Sequence, residues 1–342
     1  MKILIYTTYH NTFLEDIVYL GLLDFFGASK IFSLQPTDPN SQEIELTLNK
    51  NTISSYEALE RLDEFDLILF FNNAFFDKYF IEVLNKQTSA IKVFIDGIDD
   101  FFVRKIYYHP EIKYYFKREL YKKVDKKLAI EWYIRYSYEL LRAPKRTGVY
   151  GHWFSYWNMP IGIADTNRFK MLKPFPLTVP VPEKSTKRKI RYDVSFVGHA
   201  NNPERNKYLE YADKFLKNVG AQSKISTKIV SKKEYTKLLL QSKASLVLRG
   251  TGYDTWRYWE APAYGTALLA KKSPILIPND FIDEESALYF DSFEELKYKI
   301  NKYILRSNEW KEIAKNGHIH FLKYHTPKER VKELLLKYLL SE

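Results

Sequence analysis

Leu248-Arg-Gly-Thr-Gly-Tyr-Asp-Thr-Trp-Arg-Tyr-Trp-Glu-Ala-Pro-Ala-Tyr-Gly-Thr-Ala-Leu-Leu269 decides how this chain folds. It opens where a strand-forming run, Ser245-Leu-Val-Leu248, ends, and passes through a turn bearing Gly250 and Gly252. A helix is expected from Asp254 or Thr255 to Tyr264, since both residue types accept hydrogen bonds from the free N–H groups of a first turn. Gly265 closes it. Strand, glycine turn and helix in that order aim backbone N–H groups and the positive helix end at the space beyond the strand's carboxyl end, where phosphate binds. Arg257 and Glu260 are three apart and share a helical face. A guanidinium there can hold a diphosphate bidentately, and a carboxylate one turn on can accept both ribose hydroxyls. An internal Arg–Glu pair on an exposed face has the same spacing, so spacing leaves both open.

The same alternation extends in both directions. Upstream lie a strand Tyr192-Asp-Val-Ser-Phe-Val197, Gly198, a helix Pro203–Val219, a short strand near Lys228–Val230 and a helix Lys233–Ser242. Downstream, a strand Ser273–Ile277 and helices Ser292–Leu305 and Pro327–Leu340 are expected. The first half repeats the theme. Lys2–Thr8 is an apolar run; Leu14, Ile17, Val18, Leu22, Phe25 and Phe26 form one helical stripe stopped by Gly27. Lys30–Leu34, Phe65–Phe71 and Ile91–Ile95 read as further strands, with a helix at Phe75–Leu84. Strands alternating with helices give parallel sheets covered on both faces. Residues 172–189 hold four of the 14 prolines and then a basic stretch, the best linker. We expect an N-terminal domain over 1–175, a linker over 176–190, a second domain over 191–326 and a terminal helix over 327–342.

Composition narrows the function. With 342 residues and 45% apolar content the chain can bury two cores, which excludes a disordered protein. The absence of Cys excludes disulfides, thiolate zinc sites and cysteine nucleophiles, and fits a reducing compartment. No P-loop, G-x-G-x-x-G, G-x-S-x-G or H-E-x-x-H motif occurs. His318, His320 and His325 have no ordinary zinc spacing and read as surface or capping residues. No signal-like or membrane-spanning run is evident, so a soluble, cytoplasmic protein is expected. Lys and Arg total 53 against 42 Asp and Glu, a net charge of +11. Residues 104–146 alone carry 13 Lys/Arg and 5 Asp/Glu with many interleaved Tyr, a pattern read as helical with a basic face. It suits a solvated face, an anionic membrane surface, a nucleic-acid backbone or an acidic polysaccharide.

Arg257-x-x-Glu260-Ala-x-Ala-x-Gly265-x-x-Leu268 resembles the nucleotide-binding signature of two-domain GT-B glycosyltransferases. Tyr192–Gly198 followed by Asn201-Asn-Pro-Glu-Arg205 resembles the start of their second domain, and Tyr324–Arg330 the entry to their terminal helix. The resemblance implies two Rossmann-like domains with parallel sheets facing a cleft and a nucleotide-diphosphate sugar, such as a UDP-sugar, as donor. The acceptor would be a hydroxyl of a glycan or glycolipid, and no metal would be required; where the basic aromatic segment docks to an anionic surface, the protein would sit peripherally at an inner membrane face. Glu260 would then bind the ribose, and Arg257, Arg249, Gly198 and Arg205 the diphosphate. Many retaining members carry a second Glu eight positions earlier; here that position is Gly252, which favours inversion. An inverting transfer needs a general base. Asp96 is the candidate, at the end of Ile91–Ile95, where it matches the strand-end Asp of a DNA β-glucosyltransferase; capping or turn formation is the alternative part. His10, His199, Asp99 and Asp100 are secondary candidates, and Asp96, Asp99 and Asp100 together are the one Mg²⁺ alternative. The rival functions are a DNA-base glucosyltransferase and a non-catalytic nucleotide-sugar or glycan-binding module.

Overall fold

The computed structural model describes residues 1–7, 13–34, 51–71, 79–99, 102–122, 130, 133–134, 137, 160–163, 169, 172–182, 188–199 and 202–339. The chain divides into two compact units, one of Met1–Pro176 with Val331–Glu342 and one of Leu177–Arg330.

The first unit is built on seven parallel strands: β1 (Ile3–Tyr6), β2 (Ile31–Leu34), β3 (Thr52–Ile53), β4 (Leu67–Phe71), β5 (Ile91–Asp96), β7 (Ile112–Lys117) and β9 (Leu172–Pro174), in the order β3-β2-β1-β4-β5-β7-β9. β1 and β4 are buried at every position. Near-continuous apolar runs of this kind are what a sheet covered on both faces requires, and α1 (Phe13–Phe26), α2 (Ser55–Glu60) and α3 (Phe80–Asn85) are the helices between the strands. Ser54 caps α2 by accepting from Glu57 N. A separate antiparallel pair joins β6 (Phe102–Arg104) to β8 (Pro160–Ile163).

The second unit has five parallel strands: β10 (Tyr192–Val197), β11 (Ser223–Ser226), β12 (Ser242–Val247), β13 (Ala267–Lys271) and β14 (Leu288–Phe290), ordered β11-β10-β12-β13-β14. Val194, Phe196, Leu246, Leu269 and Leu288 project from these strands into a core shared with Leu209, Ala212, Leu296 and Ile300 of the helices. The helices are α4 (Pro203–Asn218), α5 (Lys232–Leu240), α6 (Trp256–Ala263), α7 (Phe293–Lys299), α8 (Glu309–Tyr324) and α9 (Pro327–Val331). Asn202 caps α4, and Ser231 with Glu234 forms a reciprocal capping box on α5. α7 widens into a π-helical turn over Ile300–Leu305.

Several local expectations shift. Residues 112–117, read as helical, form β7, because Tyr115 and Phe116 pack between β5 and β9 and the tertiary position overrides the charge pattern. Helical residues of that segment among those described are Ile130, Tyr133, Ile134 and Ser137. The short strand near Lys228–Val230 lies earlier, at Ser223–Ser226, and residues 228–230 are exposed or half-buried loop. The strand placed at Ser273–Ile277 is β13 at Ala267–Lys271, directly after Gly265, whose φ of 67° turns the chain out of α6. β14, α8, β3 and α2 are further elements that the sequence pattern does not mark. Leu172–Pro174, at the head of the proline-rich stretch, is the edge strand β9, a position where proline's missing N–H is tolerated. Among the described residues no helix is long and apolar enough to cross a membrane.

Candidate active site

In the second unit the strand order reverses between β10 and β12. The loop after β10 leads toward β11 and the loop after β12 toward β13, so the two diverge and leave a crevice at the sheet's carboxyl edge. Three of the sequence's candidates converge there. Arg257, on the first turn of α6, donates from Nε to the carbonyl oxygen of Val197, the last residue of β10. Its guanidinium carbon lies 5.3 Å from the Phe196 ring centre. Gly198 is needed for this approach: a Cβ there would overlap Arg257 Nη2 and sit 2.6 Å from its Cζ. Glu260 is one turn further along α6, half-buried. Burial raises its pKa above the ordinary 4.5, while the Tyr235 hydroxyl, Arg257 and Lys232 hold the rise in check.

Arg205 is in the same crevice but is spent internally. It is 4% exposed. Its Nε, Nη1 and Nη2 donate to the carbonyl oxygens of Arg249 at 2.8 Å, His199 at 2.7 Å and Leu248 at 3.0 Å. One guanidinium thus fastens the loop after β10 to the loop after β12. Burial first, and the nearby Arg257 second, push its pKa down to about 10. Arg249 lies 3.4 Å by Nε from Glu204 Oε2 and donates from Nη1 to Tyr253 Oη at 3.1 Å. His199 is exposed.

Two residues that hold the site together, and a third at its edge, escaped the sequence reading. Lys271 ends β13 and reaches Glu204 Oε1 at 3.3 Å. The sequence pattern puts this strand at Ser273–Ile277, six residues further on, which leaves Lys271 outside it. Arg188 donates to the carbonyl oxygens of Gly265, Leu240 (3.3 Å) and Ser242 (2.8 Å) and to Thr266 Oγ1 (3.0 Å), clamping the C-terminal ends of α5 and α6. Its sequence signal was only a charge in a basic linker. Tyr235, on α5, faces Glu260; burial first and then that carboxylate push its hydroxyl's pKa well above 10.

In the first unit, Asp96 ends β5 and is fully buried. Its Oδ1 is 3.1 Å from Lys117 Nζ, its Oδ2 is 3.7 Å from Arg104 Nε, and Oδ2 accepts from Tyr115 Oη at 2.5 Å. Both cations are themselves buried. Asp99 pairs with Arg118. Two of the three carboxylates of the Mg²⁺ alternative, Asp96 and Asp99, are thus paired with Lys117, Arg104 and Arg118. His10 and Asp100 lie outside the described residues. The histidines downstream are structural: His318 Nδ1 is 2.9 Å from Pro262 O and His320 Nε2 is 2.7 Å from Asn279 O.

Residues 184–336 match the model of the family described as glycosyl transferase-like. That stretch lies almost entirely in the second unit. No curated protein sequence matches. Among solved structures, the chain is similar to an "alpha-glucosyltransferase (AGT) in complex with UDP", at TM-score 0.55 and 11% identity over 99% of this chain and 98% of the other. It is similar to Anabaena Alr3699/HepE in complex with UDP and glucose, at TM-score 0.53 and 10% identity over all of both chains. OtsA, in an apo structure, aligns at TM-score 0.56 and 8% identity over 100% of this chain and 99% of that one. At these identities the likeness is one of fold, and the fold is GT-B. The crevice of the second unit thus holds the Arg257–Gly198 contact, Glu260 and the Arg205 clamp.

Proposed function

We propose that the protein transfers a sugar from a UDP-sugar to a hydroxyl acceptor, with Glu260 accepting hydrogen bonds from the donor ribose and Arg257 holding the diphosphate. The observation that carries this reading is the placement of both residues on the first turns of α6 at the β10/β12 reversal, with Arg257 drawn over Gly198. A departing nucleoside diphosphate needs positive charge at its phosphates, and Arg257, Arg249 and the amino ends of α4 and α6 supply it without a metal. Gly252 offers no carboxylate eight residues before Glu260, so we read the transfer as inverting. Asp96 is committed to Lys117, Arg104 and Tyr115, so in our reading its part is to hold the first unit's sheet together, and we do not give it the acceptor's proton. A glycan or glycolipid is the acceptor we favour. DNA is the second reading, supported by the net charge of +11 and by the likeness, at TM-score 0.53, to an alpha-glucosyltransferase solved with UDP-glucose and DNA.

Calorimetric titration with UDP tests the donor site. Wild type binds, and Glu260→Ala weakens binding by about tenfold or more, the cost of hydrogen bonds to a charged group. Failure to bind UDP or any other nucleoside diphosphate would overturn the proposal. Sugar release from UDP-glucose in the presence of DNA or of glycan acceptors, with the product anomer read by NMR, separates the two acceptor readings and tests inversion.

A further inference from the structure

Glu204 stands among the cations at the end of the second sheet, and its two oxygens are divided between two of them. Oε2 lies 3.4 Å from Arg249 Nε, beyond β12, and Oε1 lies 3.3 Å from Lys271 Nζ, at the end of β13. Arg205 and Arg257 are close enough for each to feel the other's charge, so positive charge is in excess here. Glu204 itself sits on the first turn of α4, capped by Asn202, whose Nδ2 also donates to Gly250 O at 3.0 Å. An anion at this point is favoured by the amino end of α4 and by both cations. The carboxylate is held from one side only: its side chain is 40% exposed, against 15% for Arg249 and 20% for Lys271. Ion pairs this open are weak and are displaced by a ligand of higher charge.

We propose that the Glu204 carboxylate is a stand-in for the donor's diphosphate, holding Arg249 and Lys271 in place until the diphosphate displaces it, and that Lys271 is a diphosphate ligand. This deepens the donor reading above and rests on the same crevice. The physical logic is preorganisation: two long cationic side chains are kept in a usable arrangement by a resident anion that costs little to remove. Lys271 acts as a point charge with freely rotating donors, and Arg249, braced by Tyr253, supplies the planar fork.

The test uses the full chain with three probes: inorganic pyrophosphate, UDP and uridine. Lys271→Met keeps the aliphatic stem and removes the charge. It should weaken pyrophosphate and UDP about tenfold and leave uridine unchanged. Glu204→Gln removes the competing charge and should tighten pyrophosphate by about two- to fivefold, with a smaller dependence on salt. Unchanged pyrophosphate affinity in Lys271→Met, or weaker pyrophosphate binding in Glu204→Gln, overturns the proposal. If UDP binds no more tightly than pyrophosphate while the Lys271→Met effect persists, the donor reading fails and this inference stands. Wild type that binds neither overturns both.

Discussion

Gly198 is a glycine for the sake of another residue. Its backbone φ is unremarkable among L residues, but the space where a Cβ would stand is filled by the guanidinium of Arg257. Because the obstacle is the end of a flexible side chain, Gly198→Ala should fold with a melting temperature within a few degrees of wild type while swinging Arg257 away from Val197 O. UDP affinity should drop about tenfold, read by titration beside the melting curve. Glu260 gives a second prediction with two opposite signs. Its raised pKa means that the folded state binds a proton more tightly than the unfolded one. Its ionisation therefore costs stability, and that cost is absent at low pH and grows as pH rises from about 4.5 through the raised value. Relative to Glu260→Gln, wild type should lose stability over that window. In the proposed donor site the ribose hydroxyls need the ionised carboxylate as acceptor, so UDP affinity should rise over the same window. Melting and titration series against pH check both.

Elements are held in place by a few buried charges. Arg188 bonds to the ends of α5 and α6, where carbonyl groups lack helical partners, and so fixes the two helices that bring Tyr235 and Glu260 together. Arg188→Ala should cost about 2–4 kcal/mol in urea denaturation, since several charge-assisted hydrogen bonds go at once. Asp96 plays the matching part in the first unit. It joins β5 to Lys117 of β7 and Arg104 of β6, and Asp96→Asn would leave two buried cations facing a neutral amide. Removing one member of a buried ion cluster costs about 3–5 kcal/mol, and urea denaturation should read that loss. UDP affinity should remain near wild type, since none of these atoms belongs to the second unit. A large loss of turnover in an Asp96→Asn variant of wild-type stability would instead restore the base role.

At the scale of the whole molecule, the proposed donor crevice belongs to residues 177–330 alone. UDP at a hundred times its Kd should raise stability by about 2.7 kcal/mol, and the added hydrogen-exchange protection should be concentrated in those residues. The alternation of strands and helices, both parallel sheets and the Arg257–Glu260 helix were legible in the sequence, because each is written in local periodicity: apolar runs for buried strands, three-to-four spacing for helices, glycines where the chain turns. What eluded it was the partnering of charges. Asp96 and Lys117 are 21 residues apart, Glu204 and Lys271 67, Arg188 and Gly265 77, and which of them meet depends on which strand ends are neighbours. The charge pattern of residues 112–117 misled for the same reason, since a strand buried between two others is defined by its neighbours. Sequence alone determined the class of fold and the helix that carries the candidate site. Only the tertiary structure decided which charged groups remain for a ligand and which are consumed in holding the sheets together, because long-range electrostatic pairing is set by strand order and leaves no local trace.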